Sequence, residues 1–142
     1  MVCSSFFFFF FPFNLIVQFN QAISFLFFLS EGSRAVALDV LKVLVQYSPT
    51  PLSNTLVETA FPTACHCILN SEDHATLQSG GELIRTYLSV AAQQIITHRD
   101  NEGQTGLQYI LQIIAQLLNP QVTLLSYPLA YLIYRKMRVA RN

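Results

Sequence analysis

One stretch constrains the fold more than any other: DHATLQSGGELIRTYLSVAAQQIITH, residues 73–98. Its polar positions Gln78, Glu82, Arg85, Ser89 and Gln93 step by four and three, which places them on one face of a helix. Leu77, Gly81, Ile84, Leu88, Ala91 and Ile95 line the opposite face. Gly81 therefore falls on the apolar stripe, with Gly80 beside it. Two glycines inside a helix cost roughly 2 kcal/mol relative to alanine. That cost is reasonable where a neighbouring helix must come close, so both are expected to be helix-packing positions. The acids Glu72 and Asp73 at the start, and His98 and Arg99 at the end, complement the helix dipole. Glu82 and Arg85, three apart, should form a weak exposed pair.

The helical grammar extends to both sides. In AVALDVLKVLVQY (35–47) the polar residues Asp39, Lys42 and Gln46 form one narrow stripe on a helix otherwise apolar. Such a helix must be covered on two sides. Ser33 is a candidate N-cap, and Pro49 and Pro51 end the segment. The next helix, 52–70, can be capped by Ser53, and Pro62 should kink it near Phe61 because proline lacks the amide donor and clashes with the preceding turn. The apolar pattern continues through Ala64, Cys65, Ile68 and Leu69, which argues for a kink rather than a chain reversal.

After the loop RDNEG (99–103), Thr105 and Gln108 match a capping box opening a helix over 106–118. Gln108, Gln112 and Gln116 should be wet. Leu107, Ile110, Leu111, Ile114, Leu117 and Leu118 should be buried. Asn119-Pro120 is the stop, and a further helix is expected over 129–138. No run alternates with period two long enough for a strand. Consecutive helices with short links, apolar on more than one side, predict an all-α chain. Stacked antiparallel pairs of the HEAT or armadillo kind are favoured over a compact bundle.

Composition matters mainly at the ends. Eleven of the twelve Phe lie between Phe6 and Phe28, and the first charged residue is Glu31. The run from 6 to 29 is uncharged and would span roughly 36 Å as a helix, enough for a bilayer. Pro12, Asn14, Gln18, Asn20, Gln21 and Ser24 interrupt it, and a basic leader and a cleavage signal are missing. Residues 6–29 are thus read first as sequence added by a misplaced gene start and not part of the evolved protein, within a Phe-rich, apolar segment 1–34 that does not resemble the rest. A membrane anchor and a core helix remain the alternatives. All eight acids lie between Glu31 and Glu102, whereas Arg135, Lys136, Arg138 and Arg141 form a basic end to a divergent tail, 122–142. Without that tail, eight acids face four cations, a body near −4 that suits a basic partner. Cations are too sparse along the body for a direct nucleic-acid surface. Cys3, Cys65 and Cys67 do not form a disulfide framework, which points to a reducing compartment.

No reactive constellation emerges. Cys65-His66-Cys67, with His74 nearby, evokes a metal site. On a helix, however, residues two apart point about 200° from one another, so the two thiols cannot clamp one ion. The glycine pair lacks a phosphate-loop pattern. Glu58, Glu72, Asp73 and Glu82 offer no pair set apart in protonation, and there is no nucleophile elbow. Neither a catalytic residue, a cofactor nor a metal is expected, and the chain reads as a protein-interaction scaffold.

Three runs carry a resemblance: PLSNTLVETAFP (51–62), SEDHATLQSGGELIRTYLSV (71–90) and GLQYILQIIAQLLNP (106–120). In this order and spacing they resemble the middle of an importin-beta family nuclear transport receptor, over about residues 35–121. The resemblance implies HEAT repeats, shuttling between cytoplasm and nucleus, and import of basic cargo such as core histones and ribosomal proteins. Release would be governed by the small GTPase Ran. On this reading the chain is a fragment of such a receptor, and weak in binding by itself. In these receptors Ran is held largely by amino-terminal repeats, which the resemblance does not cover. The loop acids Glu72, Asp73, Asp100 and Glu102 are candidate cargo-facing groups. A small membrane-anchored helical protein, using residues 6–29 as its span, is the competing reading.

Overall fold

A computed structural model describes residues 31–119 and 127–142. The candidate span 6–29 and most of the 1–34 segment lie outside the described residues. Among the described residues five α-helices follow in order: α1 (Glu31–Tyr47), α2 (Phe61–Leu69), α3 (His74–Thr97), α4 (Gly106–Leu117) and α5 (Tyr127–Arg141). A π-helical segment, Thr55–Ala60, runs directly into α2. Among the described residues there is no strand, only an isolated bridge between Arg99 and Thr105. No described helix is long and apolar enough to cross a membrane.

The helices form two layers. α3 packs against α1 on one side and α5 on the other, while α2 packs beside α4. α3 also meets α2 and α4, and α4 meets α5, so the layers interlock. This is the expected all-α arrangement of stacked antiparallel helix pairs. One apolar core runs through all of it, from Leu38 and Val45 on α1 to Ile133 and Met137 on α5.

Proline chemistry explains the π segment. In an α-helix the ring of Pro62 would meet the carbonyl of Glu58 and leave it without a donor. Widening the preceding turn relieves that conflict. The chain stays helical through Ala60 (φ −67°) and Phe61 (φ −63°), so Pro62 changes the pitch without reversing direction. The carbonyl of Leu56 accepts from the amide of Phe61. It also accepts the Tyr87 hydroxyl at 2.9 Å, which stitches the π segment to α3.

Several local expectations change. α1 begins at Glu31 and runs through Ser33, so Ser33 is not its N-cap. Asn54, not Ser53, stands at the cap of the π segment, and it makes no side-chain cap bond. Ser53 contributes its backbone carbonyl to the amides of Leu56 and Val57 instead. α3 is bent at Ala91, whose φ of −146° and ψ of 48° are not helical, and Ala91 is only half-buried. On α4 the buried face is Tyr109, Ile110, Ile113, Ile114 and Leu117, whereas Leu111 and Leu118 are exposed. The face is turned because Tyr109 is drawn inward onto the ring of Phe61, 6.3 Å away edge-to-face.

The glycine pair of α3 looks in two directions. A Cβ on Gly80 would overlap the Ile68 side chain of α2, with Ile68 Cδ1 only 2.7 Å away. A Cβ on Gly81 would overlap Leu129 of α5, with Leu129 Cγ 2.9 Å away. Each missing methyl therefore admits a branched side chain from a different neighbour. The tightest backbone approach lies elsewhere, at Gly106: a Cβ there would run into the carbonyl of Ile95, whose carbon would be 2.8 Å away.

Candidate interaction surface

The most elaborate polar arrangement sits where the end of α3, the loop after it and the π segment meet. Asp100 organises the loop. Its Oδ1 accepts the amides of Glu102 at 3.0 Å and Gln104 at 2.8 Å, while Gly103 takes the positive φ of 81° that closes the turn. The capping box forms as the sequence predicts. Thr105 Oγ1 accepts from the amide of Gln108 at 3.2 Å, and Gln108 Oε1 accepts from the amide of Thr105 at 2.7 Å.

The other carboxylate oxygen of Asp100 accepts the Tyr109 hydroxyl proton at 2.6 Å. His66 Nε2 lies 3.1 Å from the same phenol oxygen. A phenol has one proton and it is committed to Asp100, so His66 must donate from Nε2. The result is a directed chain, His66 to Tyr109 to Asp100, joining α2, α4 and the loop. The Tyr109 hydrogen bond holds the Asp100 carboxyl below the usual carboxylate range, helped by the loop amides. Burial, with that same carboxylate, pushes the Tyr109 phenol well up.

Beside this chain lies an open cleft of about 480 Å³, walled by Glu58, His66, His98, Asp100, Glu102 and Tyr109 among others. Glu58 and Glu102 are exposed. His98 Nε2 is buried and has no hydrogen-bond partner among the described residues.

The four loop acids do not converge. Glu72 and Asp73 precede α3 and Asp100 and Glu102 follow it, so the whole helix stands between the two pairs. Two of the four are committed to their own loops. Asp73 is the N-cap of α3: its Oδ2 accepts both the amide and the hydroxyl of Thr76 at 2.9 Å, and the amide bond holds its carboxyl low. Asp100 is occupied as described, which leaves the carboxylates of Glu72 and Glu102 exposed. Glu58 joins Glu102 across the cleft. The sequence held no sign of that, because nothing local brings residue 58 to residue 102.

The thiols offer little chemistry. Cys65 and Cys67 are free and buried; burial pushes the Cys65 thiol well up, and the Cys67 thiol too, there partly offset by Arg34. Among the described residues no three His, Cys, Asp or Glu side chains gather as a metal site.

No family model matches this chain. A stretch of 92 residues, 64% of the chain, is 43% identical to Importin-9 from Drosophila melanogaster. The expected resemblance to the importin-beta family holds. The chain spans 9% of the length of that relative. The two-layer order of helices is what a piece of an importin-type solenoid requires, since each helix pair buries its faces only against its neighbours. An identity of this level over such a stretch makes the chain similar to one part of an importin.

Proposed function

We propose that the chain contributes one section of a nuclear import receptor: a protein-interaction scaffold that carries basic cargo into the nucleus under control by Ran. The supporting observation is the exposed apolar face of α1. Its inner residues Leu38, Leu41 and Val45 are buried against the core. Val36, Val40, Val43, Leu44 and Tyr47 form a second apolar stripe that stays exposed, Val36 at 62% and Tyr47 at 79%. An isolated domain has no use for two apolar faces on one helix, whereas a solenoid needs the second to stack the next pair.

Cargo recognition on this reading is electrostatic. Glu58 and Glu102 at the cleft, in a body near −4, suit Lys- and Arg-rich segments such as those of core histones and ribosomal proteins. Shuttling between cytoplasm and nucleus, and Ran-driven release, belong to the receptor as a whole.

The test is binding of core histones to the full chain by light scattering and anisotropy at low and high salt. We expect weak, salt-sensitive binding that Glu58→Lys with Glu102→Lys abolishes; binding indifferent to that double reversal would overturn the assignment. Carbonate extraction addresses the competing membrane reading. Retention of the full chain in membranes, lost when residues 1–30 are deleted, would favour an anchored protein instead.

A further inference from the structure

The outer face of α5 has a different chemistry from that of α1. α5 buries Leu129, Ala130, Ile133 and Met137 against the core. Its other side carries Tyr131, Tyr134, Arg135 and Arg138 at spacings of three, four and seven, which is one helical face. Tyr131 is 64% exposed and Tyr134 46%. Lys136 and Arg141 flank that face, and both are exposed. None of the four cations has an ion-pair partner among the described residues. The last acid in the chain is Glu102, so nothing on α5 or in the loop before it neutralises them.

We infer that the outer face of α5 is a docking surface for a short acidic peptide segment of a partner protein. Three observations favour this occupant. Three of the four cations are arginines, whose planar forks pair with carboxylates two hydrogen bonds at a time. The two phenols lie within a turn of Arg135 and Arg138, where their hydroxyls can donate to further carboxylates. The charge is also confined: the four cations occupy seven residues, roughly 10 Å of helix, beside a body near −4. A long polyanion such as single-stranded RNA would run off the helix onto repelling surface, whereas a peptide of a few acids would not. A lipid surface fits less well, because the apolar side of α5 is already spent inside the fold.

Fluorescence anisotropy of the full chain tests this, with a labelled peptide of about ten mixed Asp and Glu residues as the probe. An oligouridylate of matched charge and phosphatidylserine vesicles are the comparisons. We expect the peptide to bind most tightly and to weaken as salt screens the exposed pairs. Arg135→Glu with Arg138→Glu should weaken it at least about tenfold, the scale of losing two rim charges. Arg135→Gln with Arg138→Gln, which adds no repulsion, should do the same to a smaller degree, and both variants should keep the parent's far-ultraviolet circular dichroism. Absence of peptide binding at low salt would overturn the inference. So would binding that both double variants leave intact, or equal or tighter binding of the oligouridylate or the vesicles.

Discussion

Gln94 clasps the backbone of Leu52 with both ends of its side-chain amide. The Leu52 amide donates to Gln94 Oε1 at 3.0 Å, and Gln94 Nε2 donates to the Leu52 carbonyl at 2.7 Å. The two residues are forty-two positions apart, and Leu52 is buried. One polar side chain thus satisfies both backbone groups of a residue in the connector between α1 and the π segment.

Gln94→Leu keeps the bulk and removes both partners. Each buried backbone group left unpaired costs about 1–3 kcal/mol. We expect thermal unfolding to begin several degrees lower, and the Leu52 amide to lose its protection in hydrogen exchange. Unchanged protection there would show that the clasp carries no stability.

Gly81→Leu should disrupt the stack far more than Gln78→Leu, four-fifths of a turn away on the wet stripe. Forcing a side chain into the space of Leu129 costs about 1–3 kcal/mol, more than the roughly 1 kcal/mol that replacing a helical glycine returns. Gly106→Ala should be costly as well, since the added methyl meets the Ile95 carbonyl and not a movable side chain. Equal melting temperatures for Gly81→Leu and Gln78→Leu would contradict the close fit of α3 against α5.

Asp73→Ala separates structure from recognition. As the N-cap of α3, Asp73 should contribute about 1 kcal/mol, so the variant is expected to melt a few degrees lower. Glu72→Ala, exposed and next to it, should leave the midpoint within about 0.5 kcal/mol of the parent. A histone-binding assay should barely register Asp73→Ala, because its carboxylate is already engaged with Thr76.

Acid should loosen the loop after α3. Asp100 has a lower carboxyl pKa folded than unfolded, where about 3.9 is ordinary. Its contribution is therefore complete above that value and disappears as pH falls through the depressed folded one. Tyr87 and Tyr109 have the opposite sign. Burial raises both phenols, so their contribution is intact below the ordinary value of about 10 and is lost as pH climbs beyond it. Tyr109→Phe should move the acid midpoint of unfolding upward and blunt the alkaline loss. An acid transition identical in Tyr109→Phe and parent would rule out the Tyr109–Asp100 bond as its source.

Much of the helical framework was legible in the residues themselves. The stripe on α3, the capping box at Thr105 and Gln108 and the Glu82–Arg85 pair (3.4 Å) stand where spacing put them. These features depend on residues three or four apart, and a helix brings such residues together whatever else the chain does. Pro62 announced a disturbance in the same local way, although only the structure shows that it takes the form of a π turn.

The acids and glycines were less legible. Four loop acids look equivalent in sequence, but Asp73 and Asp100 are consumed by neighbouring amides and hydroxyls, and α3 holds the two pairs apart. The apolar face of α4 was misplaced because an aromatic contact with Phe61, distant in sequence, turned Tyr109 inward and Leu111 outward.

By itself, the sequence determined that the described part of this chain is helical, where α3 and α4 begin, and which family of receptors it resembles. Those properties reside in short-range spacing and in the order of recognisable words. Only the tertiary structure decided that Gly80 and Gly81 serve two different neighbours, that His66, Tyr109 and Asp100 form one directed chain, and that the outer face of α1 is apolar and that of α5 basic. Each of these depends on which residues far apart in the chain come within a few ångströms, and helical periodicity carries no information about that.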